Sequence, residues 1–192
     1  MVFQLGFVLM YLDEYYTNKG SHVLACFVDF RRTFDSVNYW KLFSKLLYDG
    51  TNTLNVRLLA VWDSNHNQRG HLRWRSSVSA AFNLGNGTRR GGVLSPYLFT
   101  RYIRDMLSSI VNSDIWCSIG NKFINVLAYA DDLVLIAPSW RTLQLLLNTL
   151  NVQSDMSDMQ CNADQTACMV FPPSSRRCVV SDNFPPLTTA DE

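Results

Sequence analysis

Asp29 stands at the carboxyl end of an apolar run, Val23-Leu24-Ala25-Cys26-Phe27-Val28. Asp131 and Asp132 interrupt a second apolar stretch, between Val126-Leu127-Ala128 and Leu133-Val134-Leu135-Ile136. Carboxylates gathered at strand ends repel one another unless a cation compensates them. Hard oxygen ligands of this kind suit Mg²⁺, which keeps water in its remaining positions. Two such ions about 3.5–4 Å apart activate an attacking hydroxyl and stabilise a leaving phosphate in line with it. Each feature alone has a plainer explanation. An Asp-Asp pair in a turn is usually just solvated, and a lone Asp at a strand end commonly turns or caps the chain.

The elements that must hold these residues can be read from periodicity. Residues 3–18 are apolar with a polar tail and stop at Gly20, which predicts a helix closed by glycine. The run 23–28 is long enough for a buried strand. Val37, Trp40, Leu42, Phe43, Leu46 and Leu47 recur at near-helical spacing before Gly50, and residues 54–64 predict a further helix. Alternation over 70–85 predicts a two-stranded ribbon, followed by a loop with Gly85, Gly87, Gly91 and Gly92. Ser95 is the expected N-cap of a helix with Pro96 in its first turn, running to about Val111. Residues 123–129 and 133–137 predict a tight hairpin with Ala130-Asp131-Asp132 at its tip, although a type I′ turn would prefer Asn-Gly or Asp-Gly. A helix from Arg141 to about Asp155 and a strand over 167–171 complete the order, and the tail from Ser174 is expected to be loose. This order predicts an α+β fold whose antiparallel sheet carries strand 23–29 beside the hairpin.

At 192 residues and 47% hydrophobic content, the chain can bury the core of one domain, or of a large piece of one. The net charge of +1 says nothing about partners, but its distribution is uneven. From Arg57 to Arg104, the chain also carries Arg69, Arg73, Arg75, Arg89, Arg90 and Arg101, with Asp63 as the only acid. Such a stretch either follows a phosphate backbone or merely solvates a face. The five cysteines form no Cys-x-x-Cys pair, so reduced, mostly buried thiols are expected. The opening stretch Met1–Leu12 lacks the basic start and cleavage site of a signal peptide and is too short to span a bilayer. The reading is a soluble, intracellular protein without a membrane role.

Four ordered segments resemble the palm motifs of reverse transcriptases. They are Phe27-Val28-Asp29-Phe30-Arg31-Arg32-Thr33-Phe34-Asp35; Gly87-Thr88-Arg89-Arg90-Gly91-Gly92-Val93-Leu94-Ser95-Pro96-Tyr97-Leu98-Phe99; Ala128-Tyr129-Ala130-Asp131-Asp132-Leu133-Val134-Leu135; and Cys161-Asn162-Ala163-Asp164-Gln165-Thr166-Ala167-Cys168-Met169-Val170-Phe171. The Leu-Ser-Pro-x-Leu-Phe and Tyr-Ala-Asp-Asp strings are similar to those of non-LTR (LINE-type) retrotransposons. The resemblance covers roughly residues 20–171.

It implies a right-hand polymerase palm, an antiparallel sheet packed on helices, with partial fingers over residues 1–172 and a tail, 173–192, at a truncated thumb junction. It also implies RNA-directed DNA polymerisation from an RNA template, a DNA primer and deoxynucleoside triphosphates. Asp29, Asp131 and Asp132 would hold two Mg²⁺ ions, which Mn²⁺ could replace, with the Phe30 backbone carbonyl as a further ligand. Phe34 matches the aromatic gate that excludes a 2′-hydroxyl, and Tyr129 would lie near the primer end. Arg90 and Gly91 match a Gln-Gly pair that contacts the incoming nucleotide.

Two departures from the family pattern stand out. Arg90 replaces Gln and cannot accept hydrogen bonds. Gln165 replaces a Lys that would protonate the leaving pyrophosphate, and an amide is no general acid at neutral pH. Two alternatives therefore stay open: a catalytically inactive remnant of such a domain, and a nucleic-acid-binding module without chemistry. The implied location is intracellular, nuclear or cytoplasmic, within a retrotransposon ribonucleoprotein; oligomeric state is not implied.

Overall fold

The computed structural model describes residues 2–63, 69–71, 73–83, 87, 92–119 and 121–173. The chain begins with α1 (Val2–Thr17), β1 (Val23–Val28), β2 (Phe30–Arg31), α2 (Tyr39–Tyr48) and α3 (Thr53–Asp63). Four short strands follow: β3 (Arg69–Gly70), β4 (Arg73–Trp74), β5 (Ser77–Val78) and β6 (Phe82–Asn83). Then come α4 (Ser95–Val111), β7 (Cys117–Ile119), β8 (Lys122–Ile124), β9 (Val126–Tyr129) and β10 (Asp132–Ala137). The last elements are α5 (Trp140–Met156), β11 (Gln160–Cys161) and β12 (Ala167–Phe171). The expected loose tail from Ser174 lies outside the described residues.

Helix ends follow local chemistry. After α1, Ser21 N–H donates to the Tyr16 carbonyl and Gly20 N–H to that of Thr17; after α2, Thr51 and Gly50 repeat the pattern on Leu46 and Leu47. Both glycines sit at positive φ, +76° and +78°, as this helix stop requires. Asp158, at φ +53°, closes α5 in the same way without a glycine. Ser139 caps α5 in a reciprocal box with Thr142, and the Asn38 side chain accepts from the first N–H groups of α2. Helix α4 starts at Ser95 itself, so the expected cap residue lies inside its first turn.

The chain divides into two compact units: residues up to Thr33 together with those from Ile103 onward, and Phe34–Tyr102. In the first unit, an antiparallel sheet has the order β12-β1-β10-β9. Both faces of β1 are buried, Val23 and Ala25 on one and Leu24 and Cys26 on the other, which is why its sequence is a continuous apolar run rather than an alternation. On one face Leu12 of α1, Val23, Ala25, Cys117, Val134 and Ile136 form a buried cluster, and Val8 and Tyr16 of the same helix pack against it. Helix α5 lies against β1 and β10, burying Leu143, Leu146, Leu147 and Leu150. Each such side chain stabilises by about 1.5–3 kcal/mol. Two exposed carboxylates side by side in water repel by only about 1 kcal/mol. The strands therefore hold the Asp131-Asp132 tip against its own charge.

Elements absent from the sequence reading appear here as well. The chain over 123–129 is not one strand: Asn125 breaks it into β8, paired with β7, and β9, paired with β10. Asn125 is buried; its Nδ2 donates to the Ile110 carbonyl at 2.6 Å and its own carbonyl accepts from Ile136 N–H at 2.8 Å. β2 and β11 form a separate two-stranded pair. Of the described cysteines, Cys26 and Cys117 are buried, Cys161 is half-buried and Cys168 is exposed. Burial pushes the Cys117 thiol up to about 11, so it stays protonated. Among the described residues no helix is long and apolar enough to cross a membrane.

In the second unit, β4–β5 and β3–β6 form the inner and outer pairs of the expected ribbon. Leu42, Phe43, Leu46, Val56, Leu98, Phe99 and Tyr102 are buried. Lys45 Nζ donates to the Tyr102 carbonyl at 2.6 Å, and Arg101 pairs with Asp49 at 3.1 Å. Gly87 is seated on the segment after Thr33: its N–H donates to the Val37 carbonyl at 3.2 Å and its carbonyl accepts the Tyr39 hydroxyl. Its φ is +111°, and a Cβ there would lie 2.7 Å from Asp35 Cα and 2.9 Å from the Phe34 oxygen.

Two stability predictions follow from this packing. Gly87→Ala meets both a clash and a forbidden φ, so it should lower the unfolding free energy by about 1–3 kcal/mol in urea titration; an unchanged midpoint would mean that the seat costs nothing to leave. Asn125→Ala removes one of two donors to the Ile110 carbonyl, the Ser113 N–H at 3.1 Å remaining, and should cost about 0.5–1.5 kcal/mol. Wild-type stability in that variant would count against the bond as a structural tie.

Candidate active site

Asp29 is the residue at which the chain leaves the main sheet. β1 ends at Val28, paired with Leu133, and β2 begins at Phe30, paired with Cys161 of the smaller sheet. Continuing the β1–β10 register by one residue sets Asp29 opposite Asp132. Neighbouring antiparallel positions of this kind have α-carbons about 4.5–5.5 Å apart. On the other side the β1–β12 pairing ends at Phe27 and Ala167, and Gln165 lies in the turn that precedes β12. Sheet pairing thus brings Asp29 and Asp132 to the same end of the sheet.

Asp131 completes the cluster from the hairpin tip. Asp132 pairs with Tyr129, leaving Ala130 and Asp131 as a two-residue turn. Ala130 has φ +51°, a conformation that costs an alanine roughly 1–2 kcal/mol and that glycine would take freely. The flanking strands over-determine this strained tip, a situation common where a loop carries function. Asp131 and Asp132 are exposed, and no hydrogen bond or ion pair engages either carboxylate among the described residues. Tyr129, on the edge strand β9, is 38% exposed.

Asp29 is half-buried and held from several directions. Its carbonyl accepts from Asn162 N–H at 2.8 Å, and its Oδ2 accepts from Asn162 Nδ2 at 2.9 Å. Its own N–H meets Thr166 Oγ1 at 3.4 Å. Asn162 Nδ2 also donates to Gln165 Oε1 at 2.8 Å. Asn162 and Thr166 lie within the fourth quoted motif, yet the sequence reading assigned them no role. The signal was there: Asn162-Ala163-Asp164 between a helix and a strand is a turn in which Asn commonly bonds its neighbours.

The remaining expected site residues fall in different places. The Phe30 carbonyl accepts the Thr33 hydroxyl at 3.1 Å, which uses one of its two lone pairs. Phe34, half-buried in the second unit, packs on Phe99 with ring centroids 5.1 Å apart. Arg90 and Gly91 lie outside the described residues. Among the described residues no three His, Cys, Asp or Glu side chains stand close enough to form a ready-made metal cage. The carboxylates share one end of one sheet rather than one closed ligand shell. Their chemistry, all oxygen and all anionic, fits Mg²⁺ or Mn²⁺ rather than zinc.

With this geometry in hand, known proteins can be compared. The family described as reverse transcriptase (RNA-dependent DNA polymerase) matches residues 2–183. The chain is 29% identical over 159 residues to the Retrovirus-related Pol polyprotein from type-2 retrotransposable element R2DM of Drosophila melanogaster. That match takes in 80% of this chain but only 15% of that protein. The fold is similar to a telomerase from Candida tropicalis in complex with a fragment of telomeric RNA: TM-score 0.61, 13% identity, 87% of this chain and 29% of the other. A Candida albicans telomerase, likewise with an RNA fragment, gives a TM-score of 0.52 at 12% identity, over 85% of this chain and 29% of the other. The chain belongs to the reverse transcriptase family, as a domain of the non-LTR retrotransposon kind with a right-hand polymerase fold of mixed helix and antiparallel sheet.

Proposed function

We propose that this domain performs RNA-directed DNA synthesis, transferring nucleotides from deoxynucleoside triphosphates to a primer 3′-hydroxyl with two Mg²⁺ ions at Asp29, Asp131 and Asp132. The observation that carries this reading is the pairing of Val28 with Leu133, which brings the following Asp29 and the preceding Asp132 to one end of the sheet, with Asp131 at a strained, exposed tip. When bound, such ions activate the hydroxyl and neutralise charge on the leaving phosphate. The protein's own contribution is orientation. Asp29 is fixed by backbone and side-chain bonds, while Asp131 and Asp132 keep their oxygens turned to no other described residue. The spare lone pair of the Phe30 carbonyl is open to the nucleotide's ion.

In this reading Phe34 gates the sugar, Tyr129 faces the primer end, and Arg90 and Gly91 meet the nucleotide. Residues 1–172 serve as palm with partial fingers and the remainder leads toward a thumb. The domain would work inside the cell, nuclear or cytoplasmic, within a retrotransposon ribonucleoprotein.

Gln165 favours a second reading, a domain that keeps the fold but has lost efficient chemistry. Its amide cannot protonate pyrophosphate, a loss worth typically about 10²–10⁴-fold. A third reading, binding without chemistry, draws on exposed Arg57, Arg73 and Arg75; Arg101 is already engaged by Asp49.

Primer extension by the purified chain on an RNA template with Mg²⁺ separates the three. Under the first reading, extension is measurable and Asp131→Asn lowers it by at least about 10³-fold, as expected from losing several kcal/mol of charge stabilisation. Full activity in Asp131→Asn would remove the metal assignment. Salt-sensitive template binding, indifferent to Asp29→Asn and to chelation, together with no extension, would leave the binding module standing.

A further inference from the structure

Asn162 joins the metal-ligand candidate and the altered fourth-motif position through one side chain. Its Nδ2 lies 2.9 Å from Asp29 Oδ2 and 2.8 Å from Gln165 Oε1. An amide nitrogen carries two hydrogens, so both bonds form together. The reverse orientation would set the Asn162 oxygen against a carboxylate oxygen, so the network itself fixes which way the amide points. The backbone supports the same arrangement. The Asn162 carbonyl accepts from Gln165 N–H at 3.2 Å and from Thr166 N–H at 2.9 Å, while Asn162 N–H holds the Asp29 carbonyl at 2.8 Å. The turn over 162–166 is therefore moored to the main chain of Asp29, with the Asn162 amide aimed at its carboxylate.

A neutral donor has a particular value here. It fixes Oδ2 and the plane of the carboxylate without cancelling the charge, leaving Oδ1 and a further Oδ2 lone pair for a cation. An ammonium in the same place would compete with that cation. Gln165 offers an acceptor oxygen to the second amide hydrogen, which stops the Asn162 side chain from swinging away.

We propose that Asn162 is a positioning residue that orients the Asp29 carboxylate for divalent-cation binding, and that Gln165 acts through it by holding the amide in place. This rests on the reading of Asp29 as a metal ligand. Partners of this kind around metal ligands commonly change metal affinity by about 10–100-fold when removed.

The test is Mn²⁺ binding to the purified chain, followed by the electron paramagnetic resonance signal of the free aquo ion, with Mg²⁺ as competitor. Circular dichroism and thermal melting check folding. Asp29→Asn should remove the site, Asn162→Ala should weaken it by about tenfold, and Gln165→Met by a smaller factor of about threefold. The double variant should bind no more weakly than Asn162→Ala alone, because both act through one amide. Wild-type affinity in Asn162→Ala, where Asp29→Asn has abolished binding, overturns the positioning role and leaves the metal reading intact. Binding that is equal in wild type and Asp29→Asn overturns the metal reading itself. A double variant weakened by the product of the single factors overturns the action of Gln165 through Asn162. Where Asn162→Ala does not fold, Gln165→Met decides: its side chain is exposed, and unchanged Mn²⁺ affinity in that variant overturns the proposal.

Discussion

Two-sided pairing of β1 is the constraint on which the candidate site depends. Because β10 and β12 both hydrogen-bond to it, neither edge of this strand is available to anything else, and both its faces are buried. Its side-chain period is two, so a slip of one residue against either neighbour would turn Ala25 and Cys26 to the wrong faces. The buried cluster with Val134 and Ile136 resists such a slip. Register, and hence the placing of Asp29 and Asp132 at one end of the sheet, is a by-product of packing an apolar core several residues away. No attraction between the carboxylates is needed to bring them together, and their repulsion is too small to prevent it.

Asp29 gains its second property from where the chain goes next. A strand that continued in the main sheet would keep its N–H and carbonyl in that ladder. Here β2 changes partner to β11, so the backbone at Asp29 must find other bonds. The turn over 162–166 supplies them, with Asn162 on the carbonyl and Thr166 near the N–H. The same switch that frees the residue from the sheet thus gives it the partners that hold it, Asn162 as donor and Thr166 as acceptor. A buried amide or carbonyl left without a partner costs about 1–3 kcal/mol, which makes the arrangement robust.

What could be read in advance follows the strength of the local signals. The apolar run of β1, the two strands about Asp131-Asp132, the glycine stops at Gly20 and Gly50, and the helical spacing of α2 all carry repeated, one-signed information, and each element formed. The ribbon over 69–83 was legible from alternation alone. By contrast, β2 and β11 are two residues long and have no period to detect; they exist because the fold brings their backbones together. β7 is short for the same reason. Asn125 was hidden inside an apolar segment, where only the bond to Ile110 reveals why a polar residue interrupts it. Ser95 and Pro96 marked the start of α4 to within one residue, the ordinary precision of a capping signal. For the site, the charged residues were visible because carboxylates at strand ends are unusual. Asn162 and Thr166 were not, because a polar turn residue is ordinary and its role depends on a contact 133 residues away in sequence.

Position 165 shows that two physical tasks can part company at one residue. Donating a proton to a leaving group requires an acid of suitable pKa, and no amide supplies one at neutral pH. Holding a neighbouring amide requires only an acceptor oxygen, and Gln165 provides it at 2.8 Å from Asn162 Nδ2. A lysine could perform the first task but not the second, since an ammonium carries donors alone. On the proposed reading, glutamine here supplies orientation where a lysine would supply a proton. Its electrostatic consequence points the same way. With a neutral amide rather than an ammonium beside it, the Asp29 carboxylate is oriented without a competing cation.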